Sequence, residues 1–431
     1  MKKTLATLLA FIAISALIMS MMSCAEDSSE KQPTDLNSGS SETDDNKGAD
    51  NGNIGDSGNT TPESSYSKGL EFTLSNDETY YLVTGIGSCN DTSVVIPPTH
   101  NSKPVKEIGA SAFSNCTTIA DIKIPDSVTD IGIYAFYNCN NLANISISNS
   151  ITSVGRYAFG YCSKLQYNMY DNAYYLGNMT NPYIVLTGTV NDYITSCTIN
   201  ENTKLIAPYA FTSCEELITI SIPDQITNIG EHAFEYCEGL SSINIGKRIT
   251  SIGYDAFKDC KSIENISIPD SVTDIQGYAF SGCKELRSVI IPDSVEHIGN
   301  HVFDGCEALS DVYVTDIAKW CNIRFPDSKA NPMYYADNLY LNGELITHLV
   351  IPDCVTKIGY KAFYGCSNIK SIVIPSSVTI IGFGGNAFDG CDQLTDIYYT
   401  GTEEDWSTID IWCDSDAFSN ANIHFGYVPE E

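Results

Sequence analysis

The chain has 431 residues and carries 23 Lys+Arg against 54 Asp+Glu, a formal net charge of -31. A surface this acidic repels phosphate backbones and anionic headgroups, which excludes nucleic acid as a partner and a polybasic patch as a membrane contact. Once the polar N-terminal segment is set aside, about 365 residues remain, ample for a large core and ordinarily two domains, although the internal repetition described below points to one.

The first segment reads as a secretory leader over residues 1–23. Lys2 and Lys3 form a short basic region, and the stretch from Leu5 to Met22 is apolar except for Thr7, Ser15 and Ser20. It ends at Met21-Met22-Ser23-Cys24 and meets an acidic, Ser-rich stretch with no basic stop-transfer flank. That ending resembles a bacterial lipoprotein signal, which implies lipidation at Cys24; ordinary signal cleavage with Cys24 as an incidental thiol is the alternative. Residues 24–66 contain almost no large apolar side chain, so they cannot bury enough surface to offset ordering. They are expected to form a disordered acidic tether, reaching roughly 35 Å as a flexible coil. Residues 67–104 lack the full repeat and are expected to cap one end of the fold.

From 105 to 395 the motif Ala-Phe-x-x-Cys recurs, mostly in steps of 23 residues. Its aromatic positions are Phe113, Phe136, Phe159, Phe211, Phe234, Phe257, Phe280, Phe303, Phe363 and Phe388. Three residues after each comes a thiol: Cys116, Cys139, Cys162, Cys214, Cys237, Cys260, Cys283, Cys306, Cys366 and Cys391. The alternation in Ile145-Ser146-Ile147 suits a short strand with one buried face. A Pro then stops the ladder, as in Ile268-Pro269-Asp270. The Asp is expected to bond backbone two residues on, and the Gly after Ile or Val to supply a conformation that other residues resist. No unit buries its apolar face alone, so coils must stack, giving about ten of them at ~4.8 Å spacing. The expected fold is therefore a β-rich solenoid of short stacked strands, turns and short helical or 3-10 segments.

Two stretches break the period, near 166–203 and 317–347. Tyr174-Tyr175-Leu176 with Ile184-Val185-Leu186, and Tyr334-Tyr335 with Leu339-Tyr340-Leu341, read as two inserted Tyr-rich β-hairpins, with Asn342-Gly343 as a turn signal. Residues 396–431 are expected to cap the other end.

The unit Leu-x-x-Ile-x-Ile followed by Ile-Pro-Asp-Ser-Val-Thr-x-Ile-Gly-x-x-Ala-Phe-x-x-Cys resembles the BspA-like subfamily of bacterial leucine-rich repeats. The resemblance implies a cell-surface protein, adhesin-like, whose partner is an extracellular protein of the matrix glycoprotein class. It places the chain outside the cell, lipid-anchored at the outer membrane, touching membrane only through the N-terminal lipid.

Candidate chemistry is sparse. The thiols recur once per coil without zinc spacing, so they read as buried small hydrophobes. Cys89, Cys197, Cys321, Cys354 and Cys413 lie off the ladder and could include a disulfide. His297 and His301 have the spacing of a helical metal pair, but they occupy ordinary repeat positions and lack the Glu a metalloprotease needs. Asp126, Asp224, Asp270, Asp293 and Asp353 could form a row attracting Ca²⁺, although turn chemistry accounts for them. No catalytic constellation or cofactor motif stands out, so the chain reads as non-enzymatic, without cofactor or metal. The outward position between the buried strand residues is polar in early coils (Lys123, Ser146, Ser221, Asn244, Ser267) and becomes Ile290, Tyr313, Val350, Val373 and Tyr398 later. Stacked, these five would form one continuous apolar stripe and are the expected ligand-binding face. A glycan-capture module and a structural coat component remain as alternatives.

Overall fold

The computed structural model describes residues 66–429 except 324, 383, 384 and 414. The leader, Cys24 and all but the last residue of the tether lie outside the described residues. What is described is a β-solenoid of about 15 turns with about 23 residues per coil and little helix. Ten motif copies fill fewer turns than that. The remainder come from the two ends and the insertions, which also coil.

Each regular coil contributes two strands. The first has three or four residues, as in Asp121–Lys123, Asn144–Ser146 and Thr219–Ser221. The second has two, as in Asp130–Ile131, Ser153–Val154 and Asn228–Ile229. Most strands pair in parallel with their counterparts in the next coil, so Ile122 faces Ile145 and Ile229 faces Ile252, although the ladder breaks between Ser242–Asn244 and Asn265–Ser267. Strands this short leave much of the coil as turn, and the turn must find partners for its own backbone. It does so across coils. Tyr134, Phe136 and Asn138 donate their N–H groups to the carbonyls of Arg156, Ala158 and Gly160. The alternation is made possible by left-handed backbone at Tyr134 (φ 57) and Asn138 (φ 58), repeated at Tyr157, Tyr209, His232, Asp255 and Tyr278. Each such residue costs on the order of 1 kcal/mol or more, offset by the turn bonds it permits.

Two sequence expectations are corrected here. Apart from Gly382, whose φ is +72°, the Gly after Ile or Val is needed for close approach rather than for its own dihedral. A Cβ on Gly155 would sit 2.5 Å from the Ile133 nitrogen, and one on Gly253 would sit 2.7 Å from the carbonyl carbon of Gly230. The unusual dihedrals fall two residues later, on side chains such as Tyr157. Nor do the turn aspartates cap only their own turn: Asp126 accepts from the Asn149 N–H at 2.9 Å and Asp224 from Lys247 at 2.8 Å, one coil on.

The core is a column of stacked rings. Phe113 lies on Phe136 (5.2 Å), and Phe211, Phe234, Phe257, Phe280 and Phe303 follow one another at 4.9 to 5.9 Å with planes within 15°. A third run joins Phe363, Phe388 and Phe418. Beside it the thiols donate back one coil: Cys139 to the Phe113 carbonyl (3.0 Å), Cys260 to Phe234 (3.1 Å) and Cys391 to Phe363 (3.2 Å). Two residues expected in this core are only half-buried. Phe159 lies where the first insertion interrupts stacking, and Cys116 belongs to the first motif coil, which follows a coil with no motif Phe.

The first insertion forms a meander of Asn168–Tyr170, Ala173–Leu176 and Val185–Thr189. Its last strand turns parallel to Leu205–Ile206 and rejoins the stack. It marks the seam between two core clusters, one spanning Leu70 to Leu165 together with Leu176, Ile184, Val185, Leu205 and Ala207, and one running from Ala173 to Phe418. The second insertion is less of a hairpin than expected. Residues Ile317–Asn322 form a helix capped by Asp316, and Pro332–Tyr334 a 3-10 turn capped by Asn331. The buried Trp320 and Phe325 pack against each other at 5.4 Å, and Trp320 donates to the Ala362 carbonyl at 2.7 Å. Only Asn338–Leu341 and Glu344–Leu345 make a hairpin, turning at Asn342 and Gly343, both with positive φ.

At the N-terminal end Glu71–Leu74 runs antiparallel to Tyr81–Gly85 and covers the sheet edge. At the other end Asn422–Phe425 continues the parallel ladder, and all four of its residues are exposed. Phe257→Ala removes one ring from the middle of the column and is expected to cost ~3–5 kcal/mol, read as a lowered urea midpoint. A loss well under 1 kcal/mol would contradict a stacked core.

Candidate functional site

The register settles where the outward residues lie. Ser267 faces Ile290, Ile290 faces Tyr313, and Tyr313 faces Tyr340. In a separate sheet Val350 faces Val373, Val373 faces Tyr398, and Tyr398 faces His424. The expected single stripe is therefore two blocks. It breaks because Glu344–Leu345 folds back antiparallel on Asn338–Leu341, so that strand does not pass the ladder on to His348–Val350. Tyr340 and His424 join the blocks although neither stands in a motif copy; alternation within their strands was the signal available.

Within the first block Tyr313 and Tyr340 stack at 4.6 Å. Burial, with Asp311 nearby, raises both phenols, Tyr340 to about 12, so they remain hydroxyl donors. In the second block His424 stacks on Tyr398 at 4.7 Å and bonds Asp396 at 2.8 Å, which helps hold that carboxyl below its ordinary range. Tyr427 also packs against Tyr398 at 4.8 Å, so one flank of that ring is covered. Val350 is the most open member, 54% exposed, and the other four expected residues are half-buried.

A second surface was not anticipated. In several successive coils the residue two before Phe, held in left-handed backbone, builds an external aromatic row: Tyr134, Tyr157, Tyr209 and His232 stack at 5.6, 4.8 and 4.6 Å. The row continues less regularly through Tyr254, which stands one place earlier because Asp255 holds the position, and then Tyr278 and His301. Since neighbours cover the ring faces, edges and hydroxyls are what the row offers. Next to it a groove of about 520 Å³ crosses the seam between the two core clusters. Its walls are polar, with Glu107, Asp130, Ser153, Asn228 and Gln276, and Arg156 reaches Glu231 at 2.9 Å. The recurrence of Tyr or His two before Phe was the visible signal.

The remaining candidates resolve simply. His297 sits in the strand His297–Ile298 and His301 in a turn bonded to Asp327 at 2.7 Å, so no helix carries the pair. The fifteen described cysteines are free thiols, of which Cys354 is the exposed one. Burial pushes Cys214 and Cys306 up to about 12, which removes the thiolate needed for nucleophilic or metal chemistry. His348 approaches Ser371 at 2.8 Å on neighbouring exposed strands, and among the described residues no carboxylate bonds that imidazole.

A family model described as BspA type leucine rich repeat region matches residues 87–179, 190–310 and 334–427 in six copies. Among solved structures, a leucine rich cell surface protein from Faecalibacterium prausnitzii A2-165 is 26% identical, covering 82% of this chain and 99% of its own, with a TM-score of 0.29. A leucine-rich repeat protein from Bacteroides ovatus ATCC 8483 is 22% identical, covering 84% and 99%, with a TM-score of 0.29. One from Eubacterium ventriosum ATCC 27560 is 16% identical, covering 75% and 93%, with a TM-score of 0.29. No curated protein matches the sequence.

Burial fixes an expected pattern of thiol reactivity. At about pH 8 a maleimide labels Cys354 rapidly, whereas Cys260, Cys283 and Cys306 react only after urea unfolds the chain, as peptide mass mapping would show. Rapid modification of those three in the folded chain would contradict the packing.

Proposed function

This chain belongs to the BspA-type leucine-rich-repeat family, and on that premise we propose that it is a binding protein displayed outside the cell, adhesin-like, with an extracellular protein of the matrix glycoprotein class as its partner. The leader over 1–23 exports it, Cys24 carries the lipid that holds it at the outer membrane, and the acidic tether sets the solenoid away from that surface. No helix among the described residues is long and apolar enough to cross a membrane.

The observation that carries this reading is the pair of aligned outward blocks in the C-terminal half, with Tyr313 stacked on Tyr340 in the first. Early coils present Lys123, Ser146 and Ser221 at the same position, so the apolar character is local and is not required by the solenoid. Tyr brings large contact area at low entropic cost and a hydroxyl that stays protonated, a combination suited to protein recognition. The role is one of binding rather than catalysis. A glycan-capture reading is favoured by a different observation, the polar groove lined by Asp130, Asn228 and Glu231 beside the aromatic row.

The two readings separate in one experiment. The full chain is tested against immobilised matrix glycoproteins and surface polysaccharides, together with a Tyr313→Ser/Tyr340→Ser variant. The account expects saturable binding to a matrix protein, weakened by the variant about tenfold or more, ~1.4 kcal/mol, with the unfolding midpoint little changed. Protein binding that the variant leaves intact, or binding to polysaccharide alone, would overturn it.

A further inference from the structure

We propose that His232, Glu235 and Asp255 form a binding site for one divalent transition-metal ion of the zinc class. Two adjacent coils bring the three together. His232 and Glu235 flank Phe234, two before and one after; Asp255 and Lys258 flank Phe257 in the same way. Elsewhere the position two before Phe holds Ser111, Tyr134, Tyr157, Tyr209, Tyr278, His301, Lys361 or Asn386, so only in these two coils does an Asp follow a His one repeat on.

The donor atoms converge. Imidazole Nδ1 of His232 lies 2.7 Å from Glu235 Oε2 and 3.4 Å from Asp255 Oδ2, and one ligand atom from each residue falls within 4.8 Å of the others. Tetrahedral zinc with bonds of about 2 Å separates its ligand atoms by roughly 3.3 Å, so a small rotation of Glu235 completes the triangle. One imidazole with two carboxylates is the mixed N/O set that suits zinc better than calcium or magnesium. Three protein ligands leave a fourth position for water.

A second observation points the same way. Asp255 is 4% exposed, and its Oδ1 is buried with no hydrogen-bond partner. The ammonium of Lys258 approaches it only to 3.7 Å. Leaving a buried carboxylate oxygen unpaired is costly, and since Oδ2 is the oxygen nearer His232, a metal chelated by both oxygens of this carboxylate supplies the missing partner of Oδ1. The surroundings already hold the ligands in place. Tyr209 stacks on the imidazole at 4.6 Å with planes 4° apart, and Lys258 bonds the other oxygen of Glu235 at 3.0 Å. Such outer contacts orient ligands in metal sites.

The test loads the full chain with ZnCl2, removes excess by gel filtration and measures zinc per chain by atomic emission. Two variants accompany it. His232→Tyr installs the residue that the preceding coil carries at this position, Tyr209, and so keeps the stack, and Asp255→Asn keeps the side-chain shape. The proposal expects the native chain to retain about one zinc, each variant to bind at least ~10-fold more weakly, and circular dichroism to be unchanged. Loading with Co²⁺ instead should give visible d–d absorption without thiolate charge transfer, which distinguishes this site from Cys354. No retained zinc, equal retention by His232→Tyr, or a thiolate band in the cobalt spectrum would overturn the assignment.

Discussion

A coil of this protein cannot satisfy its own backbone. With strands of two to four residues, most N–H and C=O groups lie in turns; some close within the coil, as Tyr137 does on Tyr134 and Cys139 on Phe136, and the alternate ones reach partners only in the next coil. The bonds from Tyr134, Phe136 and Asn138 to Arg156, Ala158 and Gly160 are that constraint in its plainest form. In-register stacking therefore decides nearly everything else. It forces glycine where the backbones approach to within reach of a Cβ, left-handed dihedrals on alternate turn residues, and a thiol that hydrogen-bonds one coil back. A larger side chain in place of the small thiol would have to fit against a backbone carbonyl only 3.0 to 3.3 Å away.

The same register converts sequence variation into surface. A substitution at a repeat position lands beside its counterpart in the next coil, so a change from Ser267 to Ile290 to Tyr313 becomes a patch. At another repeat position, Tyr134, Tyr157 and Tyr209 become a stacked row, and where that same position carries His232 and then Asp255, with Glu235 and Lys258 three residues on, it becomes a compact polar cluster. A solenoid needs no special loop to assemble a site.

Much of this was legible in the sequence. The Phe and Cys spacing gives the solenoid and its core because the period is written directly in the chain, and Asn342-Gly343 announces its turn. What was not legible depended on breaks in the period. Asp311 pairs with Asn338, 27 residues on, and Asp396 with Asn422, 26 on, instead of the regular 23. Counting by repeats alone misses Tyr340 and His424, and it cannot see that the hairpin at Glu344–Leu345 divides the stripe. The glycine and aspartate roles were misassigned for a related reason, since both act on the neighbouring coil and local turn chemistry looks only within one. The left-handed Tyr positions run against residue preference, so no propensity argument would have placed them.

The central claim is that the outward blocks of the C-terminal half are the recognition face. Hydrogen–deuterium exchange of the full chain, with and without the matrix protein that binds it, addresses this directly. The account predicts added protection in Ser288–Ile291, Asp311–Val314 and Asn338–Leu341, extending to Ser371–Ile374 and Asp396–Tyr399. Protection confined instead to Asp130–Ile131, Ser153–Val154 and Asn228–Ile229, the strands lining the polar groove, would contradict it.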